Sequence, residues 1–197
     1  MPTIVIAAGG GLETAMLPQR LLYLRADYGV EVRAAVSSGA LDFVTRTALM
    51  GVTGSFVYDP DTRFVPGSAH PVHLALADAD LLVVYPATAR VLAQCALGDV
   101  TCPVTRLFAF TAKDRILVAP AIHPRMDRRI YEPHAARLRE LGCEVIGGAD
   151  LWATWHEVET RIVARLGLAR ARAKTGDVLL DELASAAARP ERGAGGA

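Results

Sequence analysis

The sequence predicts a Rossmann-like, doubly wound α/β fold, in which helices cover both faces of one parallel sheet. Short runs rich in Val and Ile alternate along the chain with segments of helical periodicity. The runs are apolar at successive positions, which is typical of parallel strands buried on both faces. The 197 residues are enough for one domain with a substantial core. We place this domain at residues 1–168, and we expect residues 169–197, rich in Ala, Arg and Gly, to be largely disordered.

The apolar runs and the periodic segments give the order of the elements. The predicted strands are Thr3–Ala8, Val30–Val36, Leu81–Tyr85, Ile116–Ala119 and Glu144–Ile146. The predicted helices are Glu13–Tyr28, Ala40–Met50, Thr88–Leu97, His134–Leu141 and Trp155–Leu166. The first helix has one apolar face, because Leu17, Leu21 and Leu24 recur at helical spacing. The segment Asp59–Pro71 contains three prolines and a glycine, so we expect a long irregular loop there, and loops of that length are often functional.

Composition narrows the classes of function. The 21 Lys and Arg residues balance the 21 Asp and Glu residues, so charge gives no reason to expect nucleic acid or an anionic membrane as a partner. No apolar run approaches the ~20 residues of a membrane span. Cys95, Cys102 and Cys143 form no CxxC pair, which argues against structural disulfides and a metal site. Because the N-terminus also lacks the pattern of a secretory signal, we expect a cytoplasmic protein.

Four loops are expected at the edge of the sheet where ligands bind. In open parallel sheets this is the edge formed by the carboxyl ends of the strands. The loops there are residues 9–11, 37–39, 86–90 and 120–123. The bare amides of Gly9, Gly10 and Gly11, just before a helix, suit a phosphate, although a tight turn would explain the same residues.

The pattern around these glycines disfavours a nicotinamide dinucleotide. The dinucleotide fingerprint requires a third glycine where Thr14 stands, and an acidic residue where Ser37 follows the second strand. The hydroxyl of Ser37 and the nearby Gly39 suit a further phosphate contact better than a ribose. No GxxxxGK[ST] motif occurs, so a P-loop is excluded as well.

His73 is the candidate for acid–base chemistry. It begins a short apolar segment that leads into the strand Leu81–Tyr85, and a helix packed on that strand runs antiparallel to it. The start of this helix therefore lies at the carboxyl edge, near Pro86–Arg90. A histidine in a cleft is the usual acid or base near neutral pH. His70 is the competing candidate, and a helix-start histidine without a catalytic task is the alternative explanation.

With these loops and His73 identified, residues Thr3 to Gly148 resemble the homo-oligomeric flavin-containing cysteine decarboxylases. The stretch "PATARV" is similar to the family's flavin motif, Pro-Ala-Ser-Ala-Asn-Thr, and "PAIHPRM" is similar to its substrate motif, Pro-x-Met-Asn-x-x-Met. The resemblance implies catalysis by His73 and substrate binding by His123 and Met126. The flavin-binding residues that it implies are Gly9, Gly10, Gly11, Ser37, Gly39, Pro86, Ala87, Thr88, Ala89 and Arg90.

The sequence departs from the family at several of these positions. Arg90 replaces the asparagine of the flavin motif, and His123 replaces the asparagine of the substrate motif. Gly11 stands where a serine is common, and the pair Thr101–Cys102 stands where the family has Asp-Asn. FMN is the usual cofactor of the family, and FAD occurs in its peptide branch. We therefore expect FMN, with FAD as the alternative.

The resemblance also implies a reaction, and the sequence favours one branch of the family. The coenzyme A branch, phosphopantothenoylcysteine decarboxylase, reduces its ene-thiol intermediate with a cysteine after about residue 146, and residues 147–159 contain none. This favours the lantibiotic- and linaridin-type enzymes, which oxidise and decarboxylate the C-terminal cysteine of a precursor peptide and release an aminoenethiol. The resemblance implies a homo-oligomer, either a trimer or a dodecamer built from trimers. The coenzyme A enzyme and a non-catalytic flavin-binding regulatory subunit are the alternatives.

Overall fold

In the part of the chain that the structure describes, one sheet of six parallel strands forms the centre. The computed structural model describes residues 1–170, and the predicted disorder of the tail falls mainly on residues 171–197, outside the described part. The strands are β1 (Thr3–Ala8), β2 (Glu31–Val36), β3 (Val57–Tyr58), β4 (Leu81–Ala87), β5 (Ile116–Pro120) and β6 (Glu144–Val145). Their order across the sheet is β3-β2-β1-β4-β5-β6, and every neighbouring pair is parallel. The predicted doubly wound α/β fold is confirmed.

Within residues 1–170, seven α-helices cover the two faces of this sheet. They are α1 (Leu17–Tyr28), α2 (Arg46–Thr53), α3 (Val72–Ala77), α4 (Ala89–Leu97), α5 (Pro103–Phe110), α6 (Arg128–Glu140) and α7 (Trp155–Leu166). One core cluster packs α1, α2 and α7 on one face, through side chains such as Leu21, Leu49 and Ile162. The other packs α3 to α6 on the opposite face, through side chains such as Leu92 and Leu107. Because both faces are covered, β1, β4 and β5 are buried over nearly their whole length, as their apolar sequences predict, whereas the edge strand β6 is only half-buried.

Two elements were absent from the sequence-based prediction. Strand β3 has only two residues, too few to show a periodicity. Helix α5 starts with Pro103 at its first position, where proline needs no amide partner. Its capping box is formed by Cys102 and Thr105, which differs from the usual Ser/Thr and Glu/Gln pair. The missed helix matters, because its first turn lies at the carboxyl edge of the sheet beside the candidate site.

Several predicted boundaries were wrong. The first helix begins as a 3-10 turn, Leu12–Met16, and becomes α-helical at Leu17, so Pro18 falls in the first α-helical turn. The segment predicted as one helix from Ala40 is a 3-10 turn, Ser38–Asp42, followed by α2, whose N-terminus is capped by the Thr45 hydroxyl. Helix α6 begins six residues earlier than expected, at Arg128, because Asp127 caps it and Pro133 lies within it without ending it.

The strand order places the candidate site at a topological switch point. Strand β1 lies between β2 and β4, and the chain runs outward from it in both directions. A crevice forms at the carboxyl edge where the direction of winding reverses. The loop after β1 therefore lies between the loops that follow β2 and β4.

Candidate functional site

The glycine loop after β1 packs backbone against backbone with both neighbouring loops. The Gly9 amide donates a hydrogen bond to the Pro86 carbonyl oxygen at 3.1 Å, and a Cβ on Gly9 would lie 2.9 Å from that same oxygen. A Cβ on Gly10 would overlap the carbonyl group of Gly39 and lie 3.0 Å from its Cα. Gly11 differs, because the nearest atom to its Cβ position is Cγ2 of Thr88 at 3.4 Å. Only the first two positions of the triplet require glycine for lack of space.

These loops enclose a cavity of about 390 Å³, which we call the glycine-loop cavity. It is lined by Gly10, Ser37, Ser38, Gly39, Asp42, Phe43, Thr88, Arg90, Val91, Gln94, Thr101 and Cys102. The structure thus brings five predicted flavin-binding residues into one cavity. The other five lie on the same loops or their flanking elements but are not among the lining residues: Gly9, Gly11, Pro86, Ala87 and Ala89. Backbone amides, hydroxyl groups and the first turn of α4 make this cavity suitable for a phosphate group.

A second cavity of about 640 Å³ adjoins the first, and we call it the histidine cavity. His73, in the first turn of α3, lines it together with residues of the loop after β3 and of the first turn of α5. The two cavities share Ser38, Thr101 and Cys102. The predicted position of His73, at the carboxyl edge near the β4 loop, agrees with this arrangement. His70 is exposed and lines neither cavity.

The surroundings of His73 favour the neutral imidazole. Burial lowers the pKa of His73 below its ordinary value, and the positive charge of Arg106 and the neighbouring His70 lower it further. Its ring packs against the ring of Phe110, with the centroids 4.7 Å apart. A neutral imidazole that lines a cavity can accept a proton at physiological pH.

The two predicted substrate residues lie elsewhere on the surface. His123 and Met126 are exposed in the loop after β5, and neither lines one of these two cavities. The Nδ1 atom of His123 accepts a hydrogen bond from the Arg125 amide at 3.2 Å. The start of this loop is attached to the segment before α7, since the Ile122 amide donates to the Leu151 carbonyl oxygen at 3.0 Å. Within one chain, the structure does not bring His123 and Met126 together with His73.

Sequence reasoning missed several residues that line the two cavities. Ser38 and Asp42 lie in the 3-10 turn after β2, Phe43 directly follows that turn, and Arg106 lies on the unpredicted helix α5. Ser38 was within reach of sequence analysis, because it adjoins the predicted Ser37. Arg106 gave no signal, because its place in the site depends on how α5 packs against α3.

Two kinds of structure are not found within the described part of the chain. No helix among residues 1–170 has the length and apolar character needed to cross a membrane. No three His, Cys, Asp or Glu side chains in the same range are grouped as the ligands of a metal ion would be.

Comparison with known proteins decides the family. The model of the family described as Flavoprotein matches residues 1–175. The chain belongs to the Flavoprotein family. This membership confirms the expectation of a flavin cofactor at the level of the family.

The curated relatives are bifunctional proteins of coenzyme A biosynthesis, CoaBC. The protein of Thermococcus kodakarensis is 32% identical over 181 residues, which are 83% of this chain and 42% of the relative. The protein of Escherichia coli K12 is 30% identical over 136 residues, which are 66% of this chain and 32% of the relative. The chain therefore spans less than half the length of these curated relatives.

Several proteins of known structure share the fold of this chain. The FMN-dependent cysteine decarboxylase TvaF from thioviridamide biosynthesis has a TM-score of 0.72 at 23% identity, covering 85% of this chain and 99% of that one. A mutant of PPC decarboxylase has a TM-score of 0.73 at 22% identity, with the same coverage. The FMN-binding protein AtHal3 has a TM-score of 0.63 at 24% identity, covering 74% and 80%. The predicted resemblance to flavin-containing cysteine decarboxylases is supported at the level of family and fold, whereas the peptide branch stays a prediction.

Proposed function

We propose that this flavoprotein catalyses the flavin-dependent oxidative decarboxylation of a terminal cysteine. The observation that carries the proposal is the junction of the two cavities through Ser38, Thr101 and Cys102. One cavity has the groups that hold a phosphate, and the other is lined by a histidine with a lowered pKa. A phosphate site that adjoins a proton acceptor fits a reaction in which a bound cofactor and a side chain act on the same substrate.

The residues of the glycine-loop cavity fit FMN. Gly10 and Gly39 leave their backbone exposed to the cavity because neither has a side chain, and Ser38 adds a hydroxyl. The amides of the first turn of α4 favour a negative charge at this edge. Bound FMN would supply the two-electron oxidation of the cysteine thiol, which makes the neighbouring carboxylate easier to lose.

His73 is the residue that we propose for the proton transfers. Removing the thiol proton requires a base that is unprotonated before the reaction, and burial lowers the pKa of His73, which favours its unprotonated imidazole. Its side chain lies on the helical first turn of α3 and packs against Phe110, which restricts its orientation.

The segment before α7 favours a peptide substrate, the C-terminal cysteine of a ribosomally made precursor. Residues 147–159 hold no thiol that would reduce an ene-thiol product. Cys143 is buried, and this burial raises the pKa of its thiol to about 11, so it does not replace that thiol. The product would then leave as the aminoenethiol. Since His123 and Met126 lie apart from His73 in one chain, we propose a homo-oligomer in which these residues complete the site of a neighbouring copy.

Phosphopantothenoylcysteine is the second candidate substrate. The observation in its favour is the similarity to the CoaBC proteins, which are 30% to 32% identical to this chain in the two comparisons above. The end of this molecule is also a cysteine with a free carboxylate, so the same residues would serve.

The two substrates can be separated by the mass of the product. We expect the flavin-loaded protein to convert a cysteine-ended peptide into a product that has lost CO2 and two hydrogens, because the ene-thiol is not reduced. Mass spectrometry of reactions with the peptide and with phosphopantothenoylcysteine measures this, and the flavin-free protein is the control. Loss of CO2 alone, and only from phosphopantothenoylcysteine, would assign the protein to the coenzyme A branch. Absence of turnover on both would leave a non-catalytic flavin-binding protein.

A further inference from the structure

We propose that the histidine cavity binds an anionic group of the substrate other than the carboxylate that is lost, and that Arg106 selects for it. The inference rests on the proposed function in one respect, that the ligand is a cysteine-ended substrate. It makes Arg106 a determinant of substrate specificity, although Arg106 lies outside the flavin motif "PATARV" and the substrate motif "PAIHPRM".

The first support is an uncompensated positive charge. The Arg106 guanidinium is partly buried, and its hydrogen bond within the described chain goes to the Tyr58 hydroxyl at 3.4 Å. No carboxylate among residues 1–170 lies within the 4.0 Å of an ion pair with it. Arg63, on the loop after β3, adds a second guanidinium to the same lining. A half-buried guanidinium without a carboxylate partner favours binding of an anion.

The second support is that the acidic residue of the lining is already neutralised. Asp59 is the one carboxylate among the described residues that line the histidine cavity. Its Oδ1 atom accepts hydrogen bonds from the Thr62 amide at 3.0 Å and from the Thr62 hydroxyl at 2.8 Å. Its Oδ2 atom forms an ion pair with Arg46, which is not part of the lining. The lining is therefore left with a positive charge from Arg63 and Arg106.

The third support is position. Arg106 and His73 line the same cavity from two helices, α5 and α3, that pack together. The phosphate of the cofactor has its own donors in the glycine-loop cavity, so the charge of Arg106 is available to the substrate. The guanidinium fork binds phosphate and carboxylate groups with two parallel hydrogen bonds. The anion is then either the phosphate of a phosphorylated substrate or an acidic side chain next to the terminal cysteine of a peptide.

The test compares two pairs of substrates that differ only in this charge. One pair is phosphopantothenoylcysteine and its dephosphorylated form, and the other is a peptide with Glu or Gln before the terminal cysteine. We expect the anionic member of one pair to be favoured by about 10-fold to 100-fold in kcat/KM, the usual range for a charge-assisted hydrogen bond. The pair that shows the preference identifies the source of the anion. In Arg106→Ala, the preference should fall to within about threefold.

Two controls separate this effect from others. Arg139→Ala removes an exposed arginine in the last turn of α6, at the opposite edge of the sheet, and should keep the preference. Measurement near pH 8 keeps His73 neutral in every variant, because an unperturbed histidine has a pKa of about 6.5. The flavin content of each variant is measured first, and Arg106→Lys restores the charge if the alanine variant folds poorly.

The affinity for the same compounds, measured by calorimetry, does not depend on turnover. It therefore tests the inference even if the protein does not catalyse the proposed reaction. Tighter binding of an anionic member that Arg106→Ala abolishes would support the inference in that case. The inference is overturned if neither pair shows a preference in kcat/KM or in binding, or if Arg106→Ala leaves the preference intact. Turnover without such a preference would leave the proposed function standing.

Discussion

Replacing His73 with asparagine is expected to lower turnover of a cysteine-ended substrate by about 10²-fold to 10⁴-fold, the usual contribution of a positioned acid or base. The fold and the bound flavin should persist, because His73 lines the histidine cavity and not the glycine-loop cavity. Turnover and flavin absorbance of the purified variant measure the two effects separately. His70→Asn is the matched control and should change the rate little, since His70 is exposed and lines neither cavity. If the His73 variant keeps its flavin and its turnover stays within about threefold of the parent, His73 has a structural role and not a catalytic one.

The same residue sets an expected pH dependence. Because burial and the charges of Arg106 and His70 lower the pKa of His73, the neutral form persists below the ordinary histidine pKa of about 6.5. Protonation disables a base, so kcat/KM should fall as the pH decreases through this lowered pKa. Arg106→Gln removes one of the positive charges and should move the fall toward higher pH. A pH profile of kcat/KM for the parent and for this variant measures the shift.

Replacing Gly10 with alanine is expected to remove most of the bound flavin. The new methyl group would overlap the Gly39 carbonyl, so the loops after β1 and β2 would have to move apart. Forcing a methyl group into a well-packed site costs about 1–3 kcal/mol, which corresponds to about a 5-fold to 150-fold loss of affinity if the strain falls on the flavin-bound form. Titration of the flavin-free protein with FMN, followed by fluorescence, measures the change.

Gly11→Ala is the matched control for this substitution. Its methyl group would meet Thr88 Cγ2 at 3.4 Å, an ordinary contact, so flavin affinity should change little. Equal affinities for FMN in the two variants would contradict the assignment of the glycine-loop cavity as the flavin site.

Sequence analysis found the elements whose side chains are buried in the same way from one end of the element to the other. Strands β1, β4 and β5 are buried on both faces, so their apolar runs are uninterrupted and the sequence located all three, although β4 continues to Ala87, two residues beyond its predicted end at Tyr85. The position of His73 followed from a geometric rule, because a helix packed on the strand that it precedes must start at that strand's carboxyl edge.

The elements that sequence analysis missed depend on contacts between distant segments. Helix α5 has an uncommon capping pair, and without it Arg106 was not placed beside Tyr58, 48 residues away along the chain. The 3-10 turn Ser38–Asp42 was merged with α2, which hid Asp42 and Phe43 as residues of the glycine-loop cavity. His123 and Met126 came from the motif alone, and no sequence rule shows whether a motif acts in its own chain or in a neighbouring copy.

The most direct test of the account is to mix the flavin-loaded protein with a cysteine-ended peptide in the absence of oxygen, while recording the flavin absorbance and the CO2 released. Oxidation of the thiol must reduce the flavin, and the described chain offers no thiol in residues 147–159 to return the electrons. We therefore expect the yellow colour to fade with release of about one CO2 per flavin. The same peptide ending in serine should leave the colour unchanged. A protein that binds no flavin, or a flavin that stays oxidised while no CO2 appears from either the peptide or phosphopantothenoylcysteine, would contradict the account.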